Sequence, residues 1–209
     1  MAGFVHHIGT FLLFVATILL LIACISAPVV PDIALLQVDL GSGVGNTTRR
    51  GTITFGTFGY CQSNFTATTT ASNCSRPHIG YAPATLLATA DGTPFSTYAG
   101  SATHALTHAL ALHPVACALE FLAVILLALS STPTFAAALT ALLALLATAL
   151  ACVLDFVLFS IVRSNVGDWG VERTGSEAGY GAAVWVVLVA GVVEVVGVGV
   201  VVGACCVGR

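Results

Sequence analysis

Three carboxylates stand where carboxylates are least welcome: Glu120, Asp155 and Glu194 each interrupt a long apolar run. A charged side chain at the centre of a bilayer costs on the order of 3 kcal/mol, so each acid must face other helices or be neutral. Three uses fit that constraint. They are hydrogen bonds that fix helix packing, contact with a partner's helix, and a proton- or cation-sensitive polar cluster. No Lys or Arg shares the three runs, so no ion pair inside them neutralises the acids; Asp155, nearer the end of its run, could also reach water or Arg163. His104 and His108 are four residues apart and share a helical face, with His113 one turn on. Imidazoles titrate at about pH 6.5, which makes these three pH-responsive candidates. Plain interfacial histidines are the alternative, and a zinc site would need His78 as a further ligand. The His6-His7 pair has no role beyond anchoring.

A second group of residues speaks of compartment. Asn46, Asn64 and Asn73 each open an Asn-x-Ser/Thr triplet, all in one polar stretch that also contains Cys61 and Cys74. Glycosylation acceptors and a disulfide-ready pair both function only on the lumenal or outer side of a membrane. A Cys61–Cys74 bond would close a loop of about a dozen residues, worth roughly 3 kcal/mol by chain entropy. Two reduced, buried thiols remain the other reading. Cys74 is the middle residue of the Asn73 triplet, so early disulfide formation competes with glycosylation there.

The elements that carry these residues are membrane spans. Apolar residues make up 57% of the chain and charged ones 7%, against about a quarter charged in soluble domains. The mean hydropathy is +1.01. Four runs, at 8–27, 110–130, 135–162 and 182–206, are long enough for about 30 Å of hydrocarbon, and in lipid each must be helical. The first run lacks a basic leader, is longer than a signal-peptide core and meets Pro28 after its small-residue site, so it is expected to stay as a span. The positive-inside rule is nearly mute: residues 1–7 and the 131–134 connection hold no Lys or Arg, and Arg163 and Arg173 mildly oppose it. The sequons and cysteines decide instead. They put a cytoplasmic N-terminus at 1–7, extracellular loops at 28–107 and 163–181, and the C-terminus inside.

The 28–107 stretch is too long for a passive connector. Thr52-Ile53-Thr54-Phe55 alternates polar and apolar side chains before Gly56, and 33–40 is a second, less regular β-like run. Glycine-rich 41–46 and Asp91-Gly92-Thr93-Pro94 are turn material. A small extracellular β-sheet with Ser/Thr-rich connections is expected over an all-α four-helix membrane bundle. Gly199-x-x-x-Gly203 fits close helix contact, within the bundle or against a partner, and homo-oligomerisation stays open. No P-loop, Gly-x-Ser-x-Gly, His-Glu-x-x-His or Cys-x-x-Cys occurs, and no cofactor, metal or catalytic residue is assigned. A net charge of -3 without basic clusters gives no case for nucleic acid.

The order of motifs has a counterpart. His6-His7-Ile8-Gly9-Thr10-Phe11-Leu12-Leu13-Phe14 leads into the first span; Phe55-Gly56-Thr57-Phe58-Gly59-Tyr60-Cys61, Cys74 and His78-Ile79-Gly80-Tyr81 follow. Leu110-Ala111-Leu112-His113-Pro114 opens the second span, Asp155-Phe156-Val157-Leu158-Phe159 lies late in the third, and Ala183-Val184-Trp185 opens the fourth. The chain thereby resembles the fungal PalI-type pH-response regulators, among the claudin-like four-span proteins. That resemblance implies a non-catalytic plasma-membrane accessory that helps a multi-span pH sensor reach or stay at the surface. Relatives often carry a hydrophilic tail after the fourth span, which is not expected here beyond Arg209. The claudin-type tryptophan before the first cysteine is also replaced, with Phe58 and Tyr60 standing near Cys61. Two other classes stay in view: a structural organiser of membrane domains or cell wall, and a small proton-linked channel built on the three acids.

Overall fold

The computed structural model describes residues 2–41, 50–66, 69–130, 135–169 and 175–207. It is mostly helical, with four helices long and apolar enough to cross a membrane and a small antiparallel sheet. The helices are α1 (Ala2–Cys24), α2 (Pro83–Asp91), α3 (Thr97–Ala109), α4 (Leu112–Leu129), α5 (Phe135–Trp169) and α6 (Ala182–Val207). The strands are β1 (Leu36–Leu40), β2 (Arg50–Gly56), β3 (Gly59–Thr66), β4 (Thr69–Cys74) and β5 (Glu177–Tyr180). These elements form two compact units.

The helical unit holds α1, α4, the first half of α5 to Cys152, and α6 from Trp185. Its residue distribution is inverted relative to a soluble bundle. Phe11, Phe14, Leu21, Phe121, Leu146 and Val192 are exposed, whereas Ala16, Ala116, Ala123, Ala141, Ala144 and Ala190 are fully buried. Lipid tails take the bulky apolar side chains as readily as a core would, so association is driven by close approach of small residues. Glycine takes this furthest between α1 and α6. A Cβ on Gly197 would lie 2.7 Å from Leu13 Cδ2, and one on Gly9 would lie 2.8 Å from Val201 Cγ2. The Gly199/Gly203 spacing is not the contact. A Cβ at either position meets nothing within 4 Å, so within the bundle the close contacts fall at Gly9 and Gly197 and not at Gly199 and Gly203.

In the sheet unit the strand order is β4-β3-β2-β1-β5, antiparallel throughout. Alternation in β1 and β2 turns Leu36, Val38, Ile53 and Phe55 to one face, where they bury against Leu158, Phe159, Val162 and Val166 of α5. The late part of α5 is thus the floor on which the sheet lies. Cys61 and Cys74 are directly opposed in the β3–β4 register and are joined as a disulfide. Two features were not expected. Residues 83–91 are helical rather than an open connection, and the helical face shared by His104 and His108 belongs to a separate helix over 97–109. Pro83 starts α2 at a position whose N–H needs no partner, and Ser96 caps α3 by accepting from Ala99 N at 3.1 Å. The chain breaks between α3 and α4 because Pro114 has no N–H for the carbonyl four residues back. The second is β5, a strand from the 163–181 connection that pairs with β1 from Leu36↔Tyr180 to Asp39↔Glu177.

Gly56 is where the sheet closes on the chain leaving α1, since a Cβ there would overlap the Ala27 backbone, with its N at 2.6 Å and its C at 2.8 Å. Gly56→Ala is therefore expected to lower the melting temperature of the detergent-solubilised protein by an amount equivalent to about 1–3 kcal/mol. Gly199→Ala, with open space around it, should stay within about 0.5 kcal/mol of the parent. Equal melting of the two variants would contradict this packing.

Candidate functional site

Two polar loci emerge, one in each unit. In the sheet unit, the segments 55–61 and 78–81 come together. Tyr81 Oη donates to the Gly56 carbonyl at 2.8 Å, and the His78 N–H donates to the Phe58 carbonyl at 2.8 Å. The Tyr81 ring stacks on Phe55 at 6.0 Å and meets Tyr60 at 6.1 Å and the edge of His78 at 6.3 Å. Thr107 of α3 donates its hydroxyl to the Tyr81 carbonyl at 2.7 Å, so a helix, a strand and a turn converge on one buried residue. Gly80, at φ +77°, permits that turn, and a side chain there would run into the His108 ring. Burial, and second the Asp155 side chain, push the Tyr81 phenol up.

The histidines divide. His104 and His108 are exposed on α3 with rings edge to face at 5.1 Å, and His78 Nδ1 lies 2.7 Å from the Arg76 carbonyl. His113 is fully buried and belongs to the helical unit. Among the described residues no three His, Cys, Asp or Glu side chains converge as a metal set. His6, assigned only an anchoring role, is buried with Nε2 3.2 Å from the Leu127 carbonyl of α4.

The acids divide as well. Asp155 is buried in the sheet unit near Tyr81, and Arg163 of the same helix lies over the Tyr180 ring at 5.5 Å. Glu120 of α4 and Glu194 of α6 are both fully buried in the helical unit and close enough to act on one another. The Thr148 hydroxyl of α5 reaches Glu194. Yet none of the four carboxyl oxygens, nor Thr148 Oγ1, makes a well-formed hydrogen bond to a described residue. Cys117, one turn from Glu120, donates its thiol to the Thr17 carbonyl of α1 at 3.8 Å. Thr148 carried one signal in the sequence: it lies seven residues before Asp155, on the same face of α5.

Of the glycosylation acceptors, Asn73 is exposed in β4, Asn64 sits in β3 opposite Gly51 and Ala71, and Asn46 lies outside the described residues.

Removing the Tyr81 hydroxyl strands the buried Gly56 carbonyl. Tyr81→Phe should cost about 1–3 kcal/mol in thermal unfolding. The phenol is harder to ionise folded than unfolded, so its contribution is complete below its ordinary value of about pH 10 and is lost progressively as pH rises from there through the folded value, because the unfolded phenol ionises first. The Phe variant should lack that alkaline component, and an unchanged alkaline profile would count against the assignment.

No curated protein matches the chain significantly. The sequence model of the SUR7/PalI family, in contrast, matches residues 5–197. That match takes in nearly the whole chain, with both segments of the Tyr81 cluster and Glu120, Asp155 and Glu194 inside it, and the chain belongs to the SUR7/PalI family of multi-pass membrane proteins.

Proposed function

We propose that this protein is a non-catalytic plasma-membrane accessory of an ambient alkaline-pH sensing complex, one that holds a multi-span sensor in its surface-competent form. Family membership over residues 5–197 is the observation that carries the reading. Association, not chemistry, is the mechanism. The bundle offers apolar faces to lipid and to a partner's helices, and the disulfide-pinned sheet offers a second, stable surface.

The accompanying topology has both termini cytoplasmic and residues 28–107 and 163–181 outside. Pairing of β5 with β1 supports it, because strands of one sheet must lie on one side of the bilayer and an even number of spans separates these two. The disulfide and the sequons at Asn64 and Asn73 favour the outer side. Treatment with an N-glycan-removing enzyme should increase the electrophoretic mobility of the protein, and a combined Asn46→Gln, Asn64→Gln, Asn73→Gln variant should no longer respond. An unmodified protein whose 28–107 stretch also resists protease on intact cells would reverse the orientation.

Deletion followed by imaging of the multi-span sensor tests the role itself. Loss of the gene is expected to reduce sensor at the cell surface and to blunt the response to alkaline medium. Normal delivery and signalling would sink the accessory reading. Unaltered signalling accompanied by dispersal of membrane patches would favour the structural-organiser class instead.

A further inference from the structure

The carboxyl pair in the helical unit is unexplained by packing alone. Glu120, Glu194 and Thr148 come from three different helices, α4, α6 and α5, and all three are 0% exposed. Both carboxyls and the Thr148 hydroxyl lie near one another, and none of their oxygens has a hydrogen-bond partner among the described residues. The neighbourhood is apolar: Leu20, Ala116 and Ala190 form the adjoining core, and Gly191 brings the α6 backbone against Thr148, where a Cβ would lie 3.7 Å from its methyl. Cys117, one turn from Glu120 on α4, supplies no positive charge. Residues 2–24, 112–152 and 185–207 hold no Lys or Arg.

Two carboxylates facing each other in such surroundings cannot both be ionised. Burial disfavours the charged form, and like charges at close range disfavour it again. Either a proton stays on at least one of them or a cation lies between them. A divalent cation fits poorly: calcium takes six to eight oxygen ligands and magnesium an octahedron, whereas this pocket offers two carboxyls and one hydroxyl. A proton needs only two facing oxygens.

We propose that Glu120 and Glu194 form an intramembrane proton-binding site, in which a carboxyl pair joined by an exchangeable proton ties α4 to α6 and the Thr148 hydroxyl forms its third wall. With the proton in place the helices share a hydrogen bond. Without it they carry facing charges and are pushed apart. The site is a property of the bundle and does not depend on the accessory role.

A hydrophobic carbodiimide added to native membranes tests this at neutral pH, where a solvated carboxylate does not react. The acid O–H adds across one N=C bond: the carboxyl oxygen bonds to the central carbon, the proton goes to nitrogen, and the adduct rearranges to a stable N-acylurea with no leaving group. Peptide mass spectrometry should find that adduct on Glu120 or Glu194, undiminished by sodium or calcium salts. The Glu120→Gln/Glu194→Gln double variant, which keeps the shape of the pair but has no acid O–H, should lose the adduct and melt within a few degrees of the parent. Three results would overturn the proposal: no adduct at either glutamate, protection by sodium or calcium at constant pH, or a double variant that melts far lower or fails to accumulate. The first two are read on the unaltered protein.

Discussion

Hydrocarbon offers no hydrogen bonds, and nearly every feature of this chain answers to that fact. Each backbone group within the bilayer must find its partner in its own helix, which makes the spans helical before any side chain is considered. With no water to exclude, the outer surfaces can be built of Phe, Leu and Val while Ala and Gly occupy the contacts. Several polar side chains in the bundle, His6, Thr17, His113, Glu120, Thr148 and Glu194, are correspondingly buried. Thr17 is satisfied by its own helix, its hydroxyl donating to the Leu13 carbonyl at 2.9 Å. The acids have no such local recourse, because a carboxyl group cannot reach back to donate unless it keeps its proton.

The sheet unit obeys the same physics at a different boundary. Its inner face is a conventional hydrophobic core, closed by the late part of α5 rather than by a second sheet. A sheet this small could not sustain itself by burial alone. Cross-strand covalent closure at Cys61–Cys74 and the aromatic cluster at Tyr81 hold the ends of its central hairpin. The terminal β1 residue Leu36 is fixed on both sides, opposite Phe55 and Tyr180, which ties the first connection to the second.

Much of this was legible in the residues, for identifiable reasons. Span number follows from hydropathy because lipid tolerates so few exceptions. The β2 strand could be read because Thr52-Ile53-Thr54-Phe55 alternates with period two, and the cysteine pair because it shares its stretch with the sequons. What escaped reading is non-local. Nothing in Glu177-Ala178-Gly179-Tyr180 announces a strand; its pairing is dictated by an edge of β1 more than a hundred residues earlier. Helices α2 and α3 are rich in Ala and Thr and lack a strong apolar stripe, so their helicity rests on a proline start, a serine cap and tertiary contact. The Gly-x-x-x-Gly pattern misled because a motif of small residues says that close approach is permitted, not that a neighbour stands there. That Glu120 and Glu194 meet while Asp155 lies with Tyr81 depends on helix rotation and unit membership, which spacing along one chain does not encode.

The late arrival of β5 has a consequence for biosynthesis. Four strands leave the ribosome in the first part of the chain, and the fifth emerges only after two further spans have been threaded. Throughout that interval the β1 edge presents unsatisfied amide and carbonyl groups, the kind of template that recruits foreign strands. Maturation of this protein is therefore gated by its last quarter. Truncations or translational pauses before residue 177 leave an adhesive ribbon, and quality-control factors that recognise open edges would have a defined window in which to act.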